Sequence, residues 1–230
     1  MRGIRGLVAA ALLSASTCGW AAAAAEFSIR WDPAEGGPKS AKESLAALGL
    51  KHDKQDDFVV QYFTVNQPGN APAGFKAIAR ERRTGNHVEA TYKVRGTAPF
   101  SANPSYVWEC PLKGPAESKN EIDITWTGDG LPKRAYSQSC TAKADMAHAI
   151  ATAHGAKPLG CSSKMHRFSE HGIKLELWKL SSGRQVFEVS VTGEDSAADL
   201  ETFQKRIVSP LLSRGVKPLK ESKTELGSAC

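Results

Sequence analysis

From residue 26 onward, charged or polar residues and apolar residues take turns one by one along segment after segment. Glu26-Phe27-Ser28-Ile29-Arg30 shows the pattern, and so do Glu121-Ile122-Asp123-Ile124-Thr125 and Glu89-Ala90-Thr91-Tyr92-Lys93-Val94-Arg95. Side chains two apart on a strand share a face, so each of these segments has one charged face and one apolar face. Such a chain must fold as sheet and must hide its apolar faces under a second layer. That requirement selects among architectures more sharply than composition does.

The remaining local signals fill in the order of elements. Glu26 to Trp31 reads as a strand, Pro38 to Leu50 as a short helix closed by Gly49, and Phe58 to Val65 as a β-branched, aromatic strand. Phe75 to Arg83 and Val88 to Arg95 flank Thr84-Gly85-Asn86 and form a hairpin. Tyr106 to Leu112, Glu121 to Thr127 and Lys133 to Ser139 are further candidate strands. Alanine-rich Ala142 to His154 reads as a helix stopped by Gly155. Lys164 to Phe168, Ile173 to Leu180 and Gln185 to Thr192 form a meander, and Asp195 to Ser213 a second helix ending before Gly215. Strands dominate, so the fold class is α+β around an antiparallel sheet or barrel.

The first 25 residues stand apart. Arg2 and Arg5 precede an uncharged run from Gly6 through Ser14 and a small-residue tract ending at Ala25, the order of a cleavable secretory signal. The chain is expected to be exported to the periplasm or beyond, with residues 26–230 as one domain. A lipid anchor at Cys18 is the competing reading, but Ala15-Ser16-Thr17 lacks the residues such a site favours. No apolar run reaches the roughly 18 residues of a spanning helix. The whole chain carries +6, and without Arg2 and Arg5 the remainder carries +4. That modest excess favours an anionic ligand and falls short of the clustered basicity of a nucleic-acid binder. Beyond Cys18 there are four cysteines, Cys110, Cys140, Cys161 and Cys230, which in an oxidising compartment predict two disulfides in any of three pairings.

The charged faces admit two readings. On any one strand the charged face is most simply the solvated one. Yet Lys76, Arg80 and Arg82 share a face, as do Glu89, Thr91, Lys93 and Arg95, while Glu121 and Asp123, or Glu188 and Ser190, form acidic or polar faces elsewhere. If the sheet closes with these faces inward, the result is a lumen in which basic groups surround an anion and carboxylates hold a cation. Alternation alone does not say which face is inside. No histidine pair has metal spacing, no serine-hydrolase or Gly-rich phosphate motif occurs, and Trp108, Trp126 and Trp178 read as core.

The order of elements resembles the CYTH domain, the triphosphate tunnel metalloenzyme family. Glu26-Phe27-Ser28-Ile29-Arg30 is similar to its opening Glu-x-Glu-x-Lys strand. Leu48-Gly49 and Tyr62-Phe63-Thr64 resemble its helix end and Tyr-Phe-Asp-Thr strand. Arg80-Glu81-Arg82, Thr91-Tyr92-Lys93, Lys119-Asn120-Glu121-Ile122-Asp123, Phe187-Glu188-Val189-Ser190 and Ser222-Lys223 follow in the family's order. The resemblance implies an antiparallel β tunnel of about eight strands with flanking helices. It also implies a phosphate-binding set of Arg30, Arg80, Arg82, Lys93, Lys164, Arg167 and Lys223. Metal ligands would be Glu26, Glu121, Asp123 and Glu188, holding Mg or Mn.

The departures are specific. Ser28 and Ser190 stand where the outer acidic pairs should have their second glutamate, Arg30 replaces lysine, and the Tyr-Phe-Asp-Thr aspartate is missing. A hydroxyl is a poor substitute for a carboxylate on a hard cation. The basic set survives better than the acidic one. The implied function is binding of a phosphorylated polyanion (triphosphate, nucleotide or polyphosphate) with reduced or absent hydrolysis. A Mg- or Mn-dependent triphosphatase is the first alternative and a non-catalytic envelope interaction module the second. Residues 97–118 and roughly 129–141 fall outside the resemblance and each carries one cysteine. Cys110 is therefore expected to pair with Cys140, leaving Cys161 for Cys230.

Overall fold

The computed structural model describes residues 23–51, 55–102, 105–143, 150 and 153–229. Its centre is a closed barrel of nine strands: β1 (Ala24–Trp31), β2 (Gln55–Thr64), β3 (Lys76–Thr84), β4 (His87–Gly96), β5 (Ala116–Trp126), β6 (Lys133–Lys143), β7 (Lys157–Glu170), β8 (Ile173–Lys179) and β9 (Gln185–Glu194). Around the ring they run β1-β5-β6-β4-β3-β2-β7-β8-β9. The expectation of about eight strands, all antiparallel, is corrected on both points. Nine strands cannot alternate in direction all the way round a closed ring, so one neighbouring pair has to run parallel. That pair is β1 with β5.

Closure settles the faces. The apolar positions of β1, β8 and β9 point outward and pack under α1 (Ala41–Ala47), α2 (Ala197–Phe203) and α3 (Ser209–Ser213). Phe27, Ile29, Trp31, Leu175, Phe187 and Val189 meet Phe203, Ile207 and Leu211 there. Burial of side chains this size contributes roughly 1.5 to 3 kcal/mol apiece. α2 and α3 are joined by a π-turn over Gln204–Val208. Pro210 explains the irregularity, since it has no N–H to give the carbonyl of Arg206.

A second outer cluster covers β3, β4 and β6 with Phe75, Ala79, Tyr92, Val94, Leu112 and Cys140. Residues 106–112, expected as a strand, carry no strand structure. A closed barrel offers no free edge for an additional strand to pair with. The segment instead lies across the barrel wall, stacks Trp108 against Tyr92 (centroids 6.1 Å apart) and is joined to β6 by the Cys110–Cys140 disulfide. Cys161 is disulfide-bonded as well, and Cys230 lies outside the described residues.

The stretch 129–141 supplies most of β6, a full barrel strand between β4 and β5. Ala142 and Lys143, expected to open a helix, instead complete β6; most of the remaining stretch to His154, and residues 1–22 with Cys18, lie outside the described residues. Near the C-terminus, where the local signals mark only Ser222-Lys223, lies α4 (Lys223–Ser228). Its capping box of Ser222 and Glu225 was the signal available.

Candidate anion-binding lumen

The inner face of the barrel bounds a cavity of about 490 Å³. Among the described residues ten basic side chains line it, Arg30, Arg80, Arg82, Lys93, Arg95, Lys119, Lys143, Arg167, Lys174 and Lys223. Six acidic ones accompany them: Glu26, Glu89, Glu117, Glu121, Asp123 and Glu176. The alternating charges of β1, β4 and β5 therefore face inward, and the apolar positions of these strands face out to the helices and to residues 106–112. Tyr62 and Ile78 also border the cavity. Behind Tyr62 an apolar cluster of Val60, Met165, Trp178, Leu219 and Leu226 fills the neighbouring space.

β3 places Arg80 and Arg82 two residues apart on the lumen face. The Nε of each is buried without a hydrogen-bond partner. Among the described residues Arg80 makes no ion pair, and Arg82 has only Glu89, at 3.5 Å. Burial, and then the neighbouring charge of Arg80, lower the Arg82 pKa to about 10. A guanidinium with an unpaired buried donor is costly to keep charged, and an anion beside its remaining donors offsets part of that cost.

On one flank lies a network of fixed charges. Lys223 of α4 puts Nζ 2.5 Å from Glu188 and 3.2 Å from Glu176. Arg167 donates to Glu176 from Nη2 at 2.7 Å and from Nε at 3.0 Å. Arg30 donates to Glu188 and, at 3.3 Å, to the Glu221 carbonyl. Burial works against the Glu176 charge, but Lys223, Arg82 and Arg167 overcome it and hold the carboxyl well below the usual range. Burial likewise opposes the Lys223 ammonium, yet Glu176, Glu188 and Glu26 raise its pKa above the ordinary lysine value.

On the other flank Glu26, Glu121 and Asp123 bring carboxylate oxygens within 4.8 Å of one another. By spacing alone the three could hold a metal ion. The charge of Glu121 and Asp123 is already met, however: Lys93 lies 3.6 Å from Glu121 and 3.8 Å from Asp123, Arg95 is 3.1 Å from Asp123, and Lys119 hydrogen-bonds Glu121. Glu26 resists burial and is lowered to a pKa of about 2, chiefly by Lys223 and Lys93. The donor set as it stands is a balanced ion-pair cluster and does not fit a hard cation that needs several free carboxylates.

Two residues of the resemblance-based set stand elsewhere. Lys164 is exposed on the outer face, opposite Val59 and Lys179, because on β7 the inward positions are Met165 and Arg167. Glu188 is fully buried but belongs to the Arg30–Lys223 network and not to the Glu26 cluster. Arg30, Arg80, Arg82, Lys93, Arg167 and Lys223 all line the cavity, as do Glu26, Glu121 and Asp123. Sequence reasoning missed Glu176, whose alternation in Lys174-Leu175-Glu176-Leu177 marks it as an inward charge. It also assigned no role to Arg95, Lys119, Lys143 or Lys174.

No family model and no curated protein matches the sequence. Solved structures do. The chain is similar to the PH1012 protein of Pyrococcus horikoshii OT3, at 13% identity over 87% of this chain and 98% of that one, with a TM-score of 0.50. It is similar in the same degree to the PH1819 protein of that organism, at 11% identity over 87% and 97%, TM-score 0.50. A third similar structure is HpAC1 from Hippeastrum, named for adenylyl cyclase and with a dominant triphosphatase activity, at 9% identity over 86% and 91%, TM-score 0.46. At these identities the likeness to the two Pyrococcus proteins is one of fold alone.

Proposed function

We propose that this chain is an exported, CYTH-like tunnel protein that binds a phosphorylated polyanion in its basic lumen, with reduced or absent hydrolysis. The observation that carries the reading is the pair Arg80 and Arg82, whose side chains line a cavity where cations outnumber carboxylates and whose Nε atoms are buried without a partner. Guanidinium groups in a water-poor site bind phosphate oxygens through charge-assisted hydrogen bonds. Among the described residues the lining includes one aromatic side chain, Tyr62, which is 2% exposed, so recognition rests on the charged part of a ligand. Export rests on the leader pattern of the first 25 residues.

The test is a thermal-shift series with tripolyphosphate, nucleoside triphosphates and long-chain polyphosphate, each with and without magnesium. A ligand that binds only the native state at about 100 times its dissociation constant adds about 2.7 kcal/mol of stability. A rise in Tm with any of these supports the reading, and no rise with all of them rejects it. A metal-dependent triphosphatase is the second reading, favoured by the convergence of Glu26, Glu121 and Asp123. Release of inorganic phosphate from tripolyphosphate in the presence of magnesium or manganese distinguishes the two.

A further inference from the structure

The acidic wall of the lumen poses a problem in charge balance that side chains of this protein solve. β1 and β5 run parallel with Glu26 opposite Asp123, and Glu121 stands two residues before Asp123 on the same face of β5. Three carboxylates drawn together in a barrel interior repel one another, and the usual remedies are a divalent cation or a proton. Here β4 contributes Lys93 and Arg95, alternate residues that project to the same wall, and β5 contributes Lys119. Arg95 Nε lies 3.1 Å from Asp123, Lys93 Nζ lies 3.6 Å from Glu121, and Lys119 closes on the other oxygen of Glu121. Three positive groups thus meet Glu121 and Asp123 directly, and Glu26 lies in the field of Lys93 without an ion pair of its own among the described residues.

A divalent ion entering this cluster would leave a local excess of two positive charges beside Lys93 and Arg95. Lys119, 51% exposed along its side chain, could swing toward solvent, but Lys93 and Arg95 are 23% and 21% exposed, and Arg95 cannot shed its proton. We propose that Lys93, Arg95 and Lys119 take the place of a divalent cation on this wall, so that the lumen binds its polyanion without metal. The inference rests on the polyanion reading and deepens it. Glu121 and Asp123 then act as positioning residues that hold Lys93 and Arg95 toward the ligand, and the wall has no metal-activated water with which to cleave it.

Because polyphosphates chelate divalent ions in solution, the metal has to be tested by itself. The full chain is freed of metal with EDTA and titrated with Mn2+ alone, bound ion being read by electron paramagnetic resonance. We expect no stoichiometric binding at Mn2+ concentrations up to the order of 1 mM, the range of weak extracellular cation sites. In parallel, calorimetry with tripolyphosphate should give the same affinity in EDTA and in magnesium once chelation is accounted for. The variant pair Arg95→Met with Lys119→Met uncovers the carboxylates and should gain Mn2+ binding by about tenfold or more. Lys119→Met alone, at the more exposed position, gives a smaller gain if the double variant fails to fold.

One equivalent of Mn2+ bound tightly by the unaltered chain overturns the proposal, and so does tripolyphosphate binding that vanishes in EDTA. If tripolyphosphate fails to bind under every condition, the functional reading falls while the Mn2+ titration still decides whether the wall accepts metal.

Discussion

Arg80 and Arg82 occupy alternate positions of one strand, turn into the same cavity, and leave both Nε atoms buried and unpartnered. Arg83, the next residue, points the other way, is 56% exposed and pairs with Glu81 at 2.6 Å. The contrast makes a direct test. Arg82→Ala should weaken tripolyphosphate binding by about 1.5 to 3 kcal/mol, the range for a lost hydrogen bond to a charged group. That is roughly tenfold or more in affinity. Arg83→Ala should leave binding within about 1 kcal/mol, as removal of an exposed charge does. Calorimetry on both variants checks this, and equal mild effects would mean that the lumen is not the binding site.

The second prediction concerns acid. Glu26 has its pKa lowered from 4.5 to about 2 because Lys223 and Lys93 outweigh the effect of burial. A group whose folded pKa is depressed contributes stability that is present above its unfolded value and is lost as pH falls toward the folded one. Urea midpoints should therefore fall between about pH 4.5 and about pH 2. Glu26→Gln should remove part of that dependence, on the order of 2 kcal/mol after allowance for solvent screening. An unchanged slope in the variant would show that Glu26 is not held by those lysines.

The Cys110–Cys140 bridge closes a loop of 30 residues and ties the aromatic segment over β4 to the barrel. Replacing both cysteines with serine should cost about 3 to 4 kcal/mol on the chain-entropy account. Cys140 faces the outer cluster and does not line the cavity, so tripolyphosphate affinity should persist below the new melting temperature. Denaturant unfolding and calorimetry on the same variant separate the two effects.

At α4 the backbone comes close to the lumen wall. A Cβ added at Gly227 would lie 2.4 Å from the Tyr62 ring, so Gly227→Ala must displace the helix or the ring. The expected cost is about 1 to 3 kcal/mol. The displacement should also loosen the contacts of Lys223 with Glu176 and Glu188, which depend on where α4 sits. Gly69→Ala, where an added Cβ meets nothing within 4 Å, is the control and should be nearly neutral. Melting temperatures of the two variants check the contrast.

What the sequence determined by itself is the two-sidedness of its strands. Period-two alternation is a local property, so Arg80 with Arg82, Lys93 with Arg95 and Glu121 with Asp123 could each be assigned to one face before any fold was known. The Cys110–Cys140 pairing followed once the resemblance had set residues 97–118 and 129–141 apart, and the structure contains it. Which face is inside was open, because alternation reads the same whether charges point to water or to a lumen. Only closure of nine strands decided it, and closure depends on every pairing in the ring at once.

The same holds for the contacts that bring distant residues together. Glu26 meets Asp123 because an odd number of strands forces β1 and β5 to run parallel. Lys223 reaches Glu176 and Glu188 because a six-residue helix, too short to show periodicity, docks beside Tyr62. Lys164 misses the cavity because strand parity on β7 turns Met165 and Arg167 inward instead. Faces are written locally by residue spacing, whereas a site assembled from several strands depends on register and closure, which belong to the barrel as a whole.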